Sequence, residues 1–224
     1  MIDIIIITKN NFAEFVETIN SIKSEIEYIN KIIIVDDSDE NYIDEVLKII
    51  NQKEKIIYIH QKAKSIYNAF NVGMSYVSAN YIFLNSGDVL ISGSFQNIHG
   101  PAVLPVLGIH KKNIKRVIKQ NDFLFWFCHQ SIVFDKNFKQ NFNENYKISA
   151  DLDFYIRYVK EFDVPKKHTI QAGLIGYDLS GISSSNRFLR DKEYLIIYYQ
   201  HKLYLQLGIF FVLMIIKLMM GRYV

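Results

Sequence analysis

The chain holds one cysteine in 224 residues, Cys128, which excludes an intrachain disulfide and any multi-cysteine metal site. Its apolar setting, Trp126-Phe127-Cys128-His129-Gln130, reads as that of a packing thiol. Charge of either sign is scarce in excess: the formal net charge is +3. No basic block alternates with aromatics, so a nucleic-acid binder is not expected. The small surplus is better matched to a mild attraction for anionic lipid or phosphate. Histidines are few and scattered, and His60, His99, His110, His168 and His201 show no metal-ligand spacing. Internal repeats and low-complexity tracts are missing. The N-terminal MIDIIIITKNN lacks a basic leader and a small-residue cleavage site, so a cytosolic protein is expected. The first strand is not followed by a glycine-rich basic loop, as a sugar-nucleotide pyrophosphorylase would require.

What is present is a globular composition, 50% hydrophobic and 22% charged, long enough for one well-filled domain. Continuous apolar runs at Ile2–Ile7, Lys31–Val35, Lys55–Ile59 and Tyr81–Leu84 predict buried strands. Between them, Phe12–Ser24, Tyr42–Asn51 and Ser65–Ser78 carry apolar residues at helical spacing. Alternating strands and helices, with strands apolar on both faces, predict an α/β fold with a mostly parallel sheet flanked by helices. The second half changes character, with shorter strands predicted at Ala102–Gly108 and Gln130–Phe134 and a helix at about Asp151–Phe162. The basic stretch of residues 109–122 (Lys111, Lys112, Lys115, Arg116, Lys119) reads either as a solvated helix face or as a loop that meets diphosphate or anionic lipid. From Leu203 to Met220 the chain is apolar apart from Gln206, Gly208 and Lys217. That length lies at the lower edge for a membrane-spanning helix. Lys202, Tyr204, Lys217, Arg222 and Tyr223 suit an interfacial segment, and a packed helix or oligomer contact is the plainer reading.

In parallel sheets of this kind ligands bind beyond the carboxyl ends of the strands. Those ends read Thr8-Lys9-Asn10-Asn11, Asp36-Asp37-Ser38-Asp39 and Asn85-Ser86-Gly87-Asp88. Each is polar, and their convergence is the main functional signal of the first half. The bland readings are a helix cap for the second and an ordinary turn for the third.

Taken in order, IDIIIITKNN, KIIIVDDSDE, KSIYNAFNVGMSYVSANYIFLNSGD, CHQSIVF and ISADLDFYIRY resemble the motif series of family 2 glycosyltransferases, over roughly residues 1–185. The likeness is to small bacterial members that build O-antigen and other surface polysaccharides. It implies a GT-A fold, a nucleotide-sugar donor, a Mn²⁺ or Mg²⁺ ion and inversion at the anomeric carbon. A transferase domain would occupy residues 1–200, with a nucleotide-binding half to about 90 and an acceptor half after it. Residues 201–224 would form an apolar tail on the cytoplasmic face of the inner membrane, near a lipid-linked sugar acceptor.

The resemblance also assigns roles. Asp37 would accept the imide N–H of uracil, with Thr8 and Asn10 lining the base and ribose pocket. Lys64 would approach the diphosphate, and Asn68 and Asn71 would lie near the nucleotide. Ser65 and Asn68 stand where the family has glycine and aspartate. Asp88 would be the carboxylate on the metal, with Ser86 and Gly87 against the sugar-phosphate. His129 and Gln130 would line the sugar pocket. Asp151, in the first turn of a helix opened by Ser149, would be the general base, its ionised form favoured by the helix dipole. Asp153, two residues on, faces elsewhere. Gly181-Ile182-Ser183-Ser184 resembles a late element of the small members. A degenerate protein that binds nucleotide or membrane without turnover is the rival expectation.

Overall fold

The computed structural model describes residues 1–93, 95–110, 113–163, 165–167, 173–179 and 186–221. The predicted Gly181–Ser184 element, Lys111, Lys112, Arg222 and Tyr223 lie outside them.

A central sheet of four parallel strands has the order β3-β2-β1-β4, from Ile56–His60, Ile29–Asp36, Ile2–Thr8 and Asn80–Asn85. Side chains alternate across a strand. Ile4, Ile6, Ile32, Ile34, Ile82 and Leu84 therefore join one core, with Phe15, Ile19 and Ile22 of α1 (Phe12–Ile22) and Val46 of α2 (Ile43–Ile49). Ile5, Ile7, Ile33, Val35 and Phe83 enter the other, with α3 (Ile66–Met74) and α4 (Ala150–Glu161). The second core is strongly aromatic: Phe142 stacks on Phe154 at 4.1 Å, and Phe138 meets Phe154 and Tyr158 edge-on. Burial on both faces explains why these strands read as unbroken isoleucine runs.

Where α3 crosses β1, a Cβ at Gly73 would lie 2.5 Å from Ile5 Cγ2. Gly73→Ala is accordingly expected to destabilise the fold by about 1–2 kcal/mol, overpacking outweighing the gain in helix propensity. Chemical denaturation measures this, and an unchanged midpoint would contradict the close approach.

Parallel register brings the polar strand ends to one edge. Thr8 pairs with Asp36 and Ile7 with Asn85. Beyond them, Asp37 N–H donates to Thr8 O at 2.9 Å and Ser86 N–H to Ile7 O at 3.1 Å.

The predicted strand Ala102–Gly108 is two strands in two sheets. Pro105 offers no N–H to a ladder, and the chain changes sheet there. β6 (Ala102–Val103) lies between β9 (Ile132–Val133) and β10 (Lys166–Lys167). β7 (Val106–His110) joins a sheet of order β5-β11-β7-β8, from Val89–Ser92, Leu174–Asp178, Val106–His110 and Asn113–Val117. Where described, the basic stretch is no helix: Lys115 and Arg116 lie in β8, an exposed strand antiparallel to β7, and Lys119 lies in the loop that follows it.

Two helices close the chain, α5 (Arg187–Gln200) and α6 (Tyr204–Met219). α5 is absent from the sequence reading. Its buried Ile197 and Tyr198 and its partly buried Tyr194 and Leu195 pack on the aromatic core. α6 fulfils the expected apolar helix and packs at the same time. Phe210 is buried against Trp126, Tyr194 and Tyr198, and Lys217 Nζ reaches Asp191 Oδ2 at 2.6 Å. Its opposite face, with Leu205, Ile209, Val212, Ile216 and Met219, is exposed. At 16 residues α6 is about 24 Å long. Among the described residues no helix is long and apolar enough to cross a membrane.

Candidate active site

A cleft of about 880 Å³ opens at the strand ends and runs beneath β8 towards α4, α5 and α6. Thr8, Asp37, Lys64, Ser86, Asp88, His129, Gln130 and Asp151 line it, eight of the residues singled out from sequence.

At one end Asp37 is 6% exposed, with Oδ2 2.8 Å from Lys9 Nζ and Oδ1 buried without a partner. Burial works to raise its pKa, but the hydrogen bond from Lys9, the Ala63 backbone and the charges of Lys9 and Lys62 hold it below the usual carboxylate range. Asp37 is therefore an ionised acceptor turned to the cleft. Thr8 Oγ1 and Asn85 Oδ1 are likewise buried and unpartnered. Buried polar atoms are nearly always satisfied, so three such atoms at one corner mark where a ligand's donors belong. Its neighbour Asp36 faces inward, accepting from Ser38 N–H at 2.8 Å and from the Tyr58 hydroxyl. Neither aspartate caps α2, whose N-cap position is Tyr42.

Asn10, Asn68 and Asn71 do not line the cleft. Asn10, at φ 49°, exchanges hydrogen bonds with Asp39 at 3.0 and 2.9 Å and clips the first strand end to the second. Asn68 and Asn71 both donate to Glu144 Oε1 at 3.0 Å, and Asn71 also clasps the backbone of Phe142. The helical spacing correctly put them side by side; the rotation of α3 turns that side to the 142–144 loop. Ser65 caps α3, its Oγ accepting Asn68 N–H at 3.1 Å, which gives a physical role to the serine found in place of glycine.

The Asn85–Asp88 turn shows why a buried strand ends on a carboxylate. Asp88 Oδ2 accepts Asn85 N–H at 2.8 Å and Oδ1 accepts Asp178 N–H at 3.0 Å, bolting the turn to β11. Burial pushes its pKa up to about 6, against those hydrogen bonds and nearby His129. Gly87, at φ +96°, admits another carboxylate: a Cβ there would lie 3.0 Å from Asp178 Oδ2. Asp178 was not singled out from sequence, because only the pairing of β11 with β5 and β7 carries it to this corner.

Among the described residues no three His, Cys, Asp or Glu side chains converge as a metal site. The corner does hold hard oxygen donors: the orphaned Asn85 Oδ1, Asp88 and Asp178. Such a set fits Mg²⁺ or Mn²⁺ when substrate phosphates complete the shell.

Midway along the cleft, His129 Nδ1 lies 3.5 Å from Asp151 Oδ2, and the buried Nε2 has no partner. Phe70 and Phe83 meet the imidazole edge-on. Gln130 is buried and accepts the Cys128 thiol at 3.0 Å, and burial keeps that thiol protonated by pushing its pKa far up. Asp151 is in the first turn of α4, its Oδ1 accepting Leu152 N–H at 2.9 Å, with 24% of the side chain exposed. Ser149 occupies the N-cap position, but its hydroxyl donates to Arg190 O at 3.3 Å instead of capping. Asp153 faces away, paired with Arg157 at 2.9 Å and His201 at 2.8 Å.

The segment before Asp151 hangs on a residue that sequence reasoning passed over. Glu193 of α5 is 6% exposed and accepts N–H groups of Lys147, Ile148 and Ser149 at 2.8, 3.0 and 2.9 Å. The Tyr67 hydroxyl holds Ile148 O on the other side.

A mostly parallel strand-helix sheet with its cleft at the strand ends is the GT-A fold, and comparison with solved structures bears this out. Residues 3–95 match the family model described as Glycosyl transferase family 2. The crystal structure of Staphylococcus aureus TarS 1–349 superposes with a TM-score of 0.61 at 13% identity, covering 88% of this chain and 64% of that one. The same protein in complex with UDP-GlcNAc gives 0.64 at 12% identity, covering 88% and 66%. Its complex with UDP gives 0.59 at 13% identity. The chain thus spans just under two thirds of those structures. None of the curated proteins matches it.

Proposed function

We propose that the chain is an inverting, metal-dependent glycosyltransferase that moves a sugar from a UDP-sugar to a hydroxyl of a lipid-linked saccharide in bacterial surface-polysaccharide synthesis. The observation that carries this reading is the ionised Asp37, its Oδ2 paired with Lys9 and its Oδ1 buried without a hydrogen-bond partner, at one end of a cleft whose middle holds Asp151. An anionic acceptor in a buried corner suits the imide N–H of a uracil ring, and Thr8 Oγ1 beside it suits base or ribose. The match of residues 3–95 to the family model and the UDP and UDP-GlcNAc complexes of TarS support the same donor class.

Asp151 takes the proton of the acceptor hydroxyl as its oxygen bonds the anomeric carbon. The bond from that carbon to the diphosphate oxygen breaks on the opposite face, and the nucleoside diphosphate leaves with the electron pair. His129 orients the base. Lys64, Arg116 of β8 and Lys119 just after it stabilise the departing charge. Asp88, with Asn85 and Asp178, would hold a divalent cation, which when bound neutralises the diphosphate. The exposed apolar face of α6 supports a peripheral seat on the cytoplasmic face of the inner membrane, where a lipid-linked acceptor would be concentrated.

Calorimetric titration with UDP, GDP and dTDP, with and without Mn²⁺, tests the donor half. UDP is expected to bind best, and Asp37→Ala to weaken it about tenfold or more, the usual effect of losing a charged hydrogen bond. UDP binding unchanged in Asp37→Ala would remove the base-pocket assignment.

A further inference from the structure

Trp126 is the only tryptophan of the chain, and it stands in the wall of the cleft. Its indole is partly exposed although it also packs on the aromatic core. The hairpin that carries it is strained. Asn121 and Trp126 exchange backbone hydrogen bonds at 2.8 and 2.9 Å, and Asn121 Oδ1 accepts Leu124 N–H at 2.9 Å. Within this tight turn Phe125 lies at φ 53°, a left-handed conformation that a bulky side chain rarely adopts. Strain of this kind persists only where the surroundings hold it, and it gathers at sites of function.

Three elements hold it here. The Tyr198 hydroxyl of α5 accepts Trp126 Nε1–H at 3.1 Å and donates to Leu124 O at 2.6 Å. Phe210 of α6 meets the indole edge-on at 5.8 Å, and Lys167 of β10 pairs with Asp122 at 2.7 Å. The indole is therefore fixed, and its one polar group, a donor, is engaged within the protein. What it offers the cleft is ring surface. Tyr194 supplies a polar handle: it lines the same cleft and touches the same Phe210 ring at 5.4 Å. The Tyr194 hydroxyl has no hydrogen-bond partner among the described residues. A pyranose has the matching anatomy. Its C–H face settles on the electron-rich face of an aromatic ring, and its rim of hydroxyls needs polar partners.

We propose that the Trp126 indole is a stacking platform for a pyranose ring, and that the Tyr194 hydroxyl bonds a hydroxyl of that ring. This rests on the transferase reading for the presence of a sugar, whereas the fixed indole is a feature of the cleft whatever occupies it. Both substrates of such an enzyme carry the ring, as donor sugar or as acceptor sugar. The C–H face is common to the two.

A single tryptophan lets the unaltered full chain report on the platform. Acrylamide quenching of its emission is measured in Mg²⁺ with UDP, with UDP-glucose, UDP-galactose and UDP-N-acetylglucosamine, and with methyl β-glucoside or methyl β-galactoside added to UDP. At least one sugar-bearing ligand is expected to shield the indole beyond UDP alone. Shielding by a UDP-sugar assigns the donor ring. Shielding by a methyl glycoside where no UDP-sugar shields assigns the acceptor ring. Calorimetry then compares variants: Trp126→Leu should weaken the shielding ligand about five- to tenfold with UDP within about twofold, and Trp126→Phe, which keeps a π face, should recover part of that. Tyr194→Phe should weaken the same ligand about fivefold. If Trp126→Leu does not fold, quenching in the parent decides. If UDP does not bind at all, the donor reading fails, yet shielding by a methyl glycoside still judges the platform. An indole unshielded by every ligand, shielding by UDP equal to that by its sugars, or parental affinity of the shielding ligand for Trp126→Leu would overturn the proposal.

Discussion

Replacing Asp151 by asparagine is expected to lower kcat by about 10²–10⁴, the range that a positioned general base contributes, with UDP affinity within about twofold of the parent. The substitution keeps an oxygen for Leu152 N–H, so the first turn of α4 has no structural reason to change. What disappears is the carboxylate proposed as the base, 3.5 Å from His129 Nδ1. Single-turnover transfer with radiolabelled UDP-sugar, beside calorimetric UDP binding, separates the two quantities. A rate within about tenfold of the parent would move the base to another carboxylate of the cleft, such as Asp178. The same pair of measurements addresses a binding protein without turnover, since such a protein shows UDP affinity and no rate to lose.

Glu193→Gln should give the largest loss of stability. One carboxylate oxygen accepts Lys147 N–H, and the other accepts both Ile148 and Ser149 N–H. A glutamine keeps one oxygen and turns an NH₂ group towards buried donors. Leaving buried donors unsatisfied costs about 1–3 kcal/mol each, and about 3 kcal/mol in total is expected here. For a chain of this size that lowers Tm by roughly 6–12 °C. Because the clasped segment delivers Asp151, kcat should fall as well, while UDP binding at the far corner stays unchanged. Thermal unfolding followed by circular dichroism reads the first effect. A Tm within about 2 °C of the parent would mean that the three N–H groups find other partners.

Much of the donor half was legible because its information is local. Isoleucine runs buried on both faces mean a parallel sheet, and such a sheet places a cleft at its polar strand ends. Thr8, Asp37, Ser86 and Asp88 reached the cleft for that reason. Asn68 and Asn71 did not, because helical spacing says which residues share a face and leaves open what the face meets. The expected strand through Pro105 failed on a local signal that was available, since a proline inside an apolar run argues against one continuous strand. α5 could also have been found, from Leu189, Tyr194, Ile197 and Tyr198 at helical intervals.

By itself, then, the sequence determined the sheet, the strand-end location of the cleft and the carboxylate in the first turn of α4. These depend on apolar periodicity and on residues adjacent in the chain. The tertiary structure alone decided that Asp178 faces Gly87, that Glu193 clasps the residues before Asp151, and that Lys217 reaches back to Asp191. Each is a contact between polar groups far apart in the chain, made once the packing of β11, α5 and α6 excludes water from their partners. Hydropathy records which side chains leave water; it carries no address for the charge that a buried carboxylate will meet.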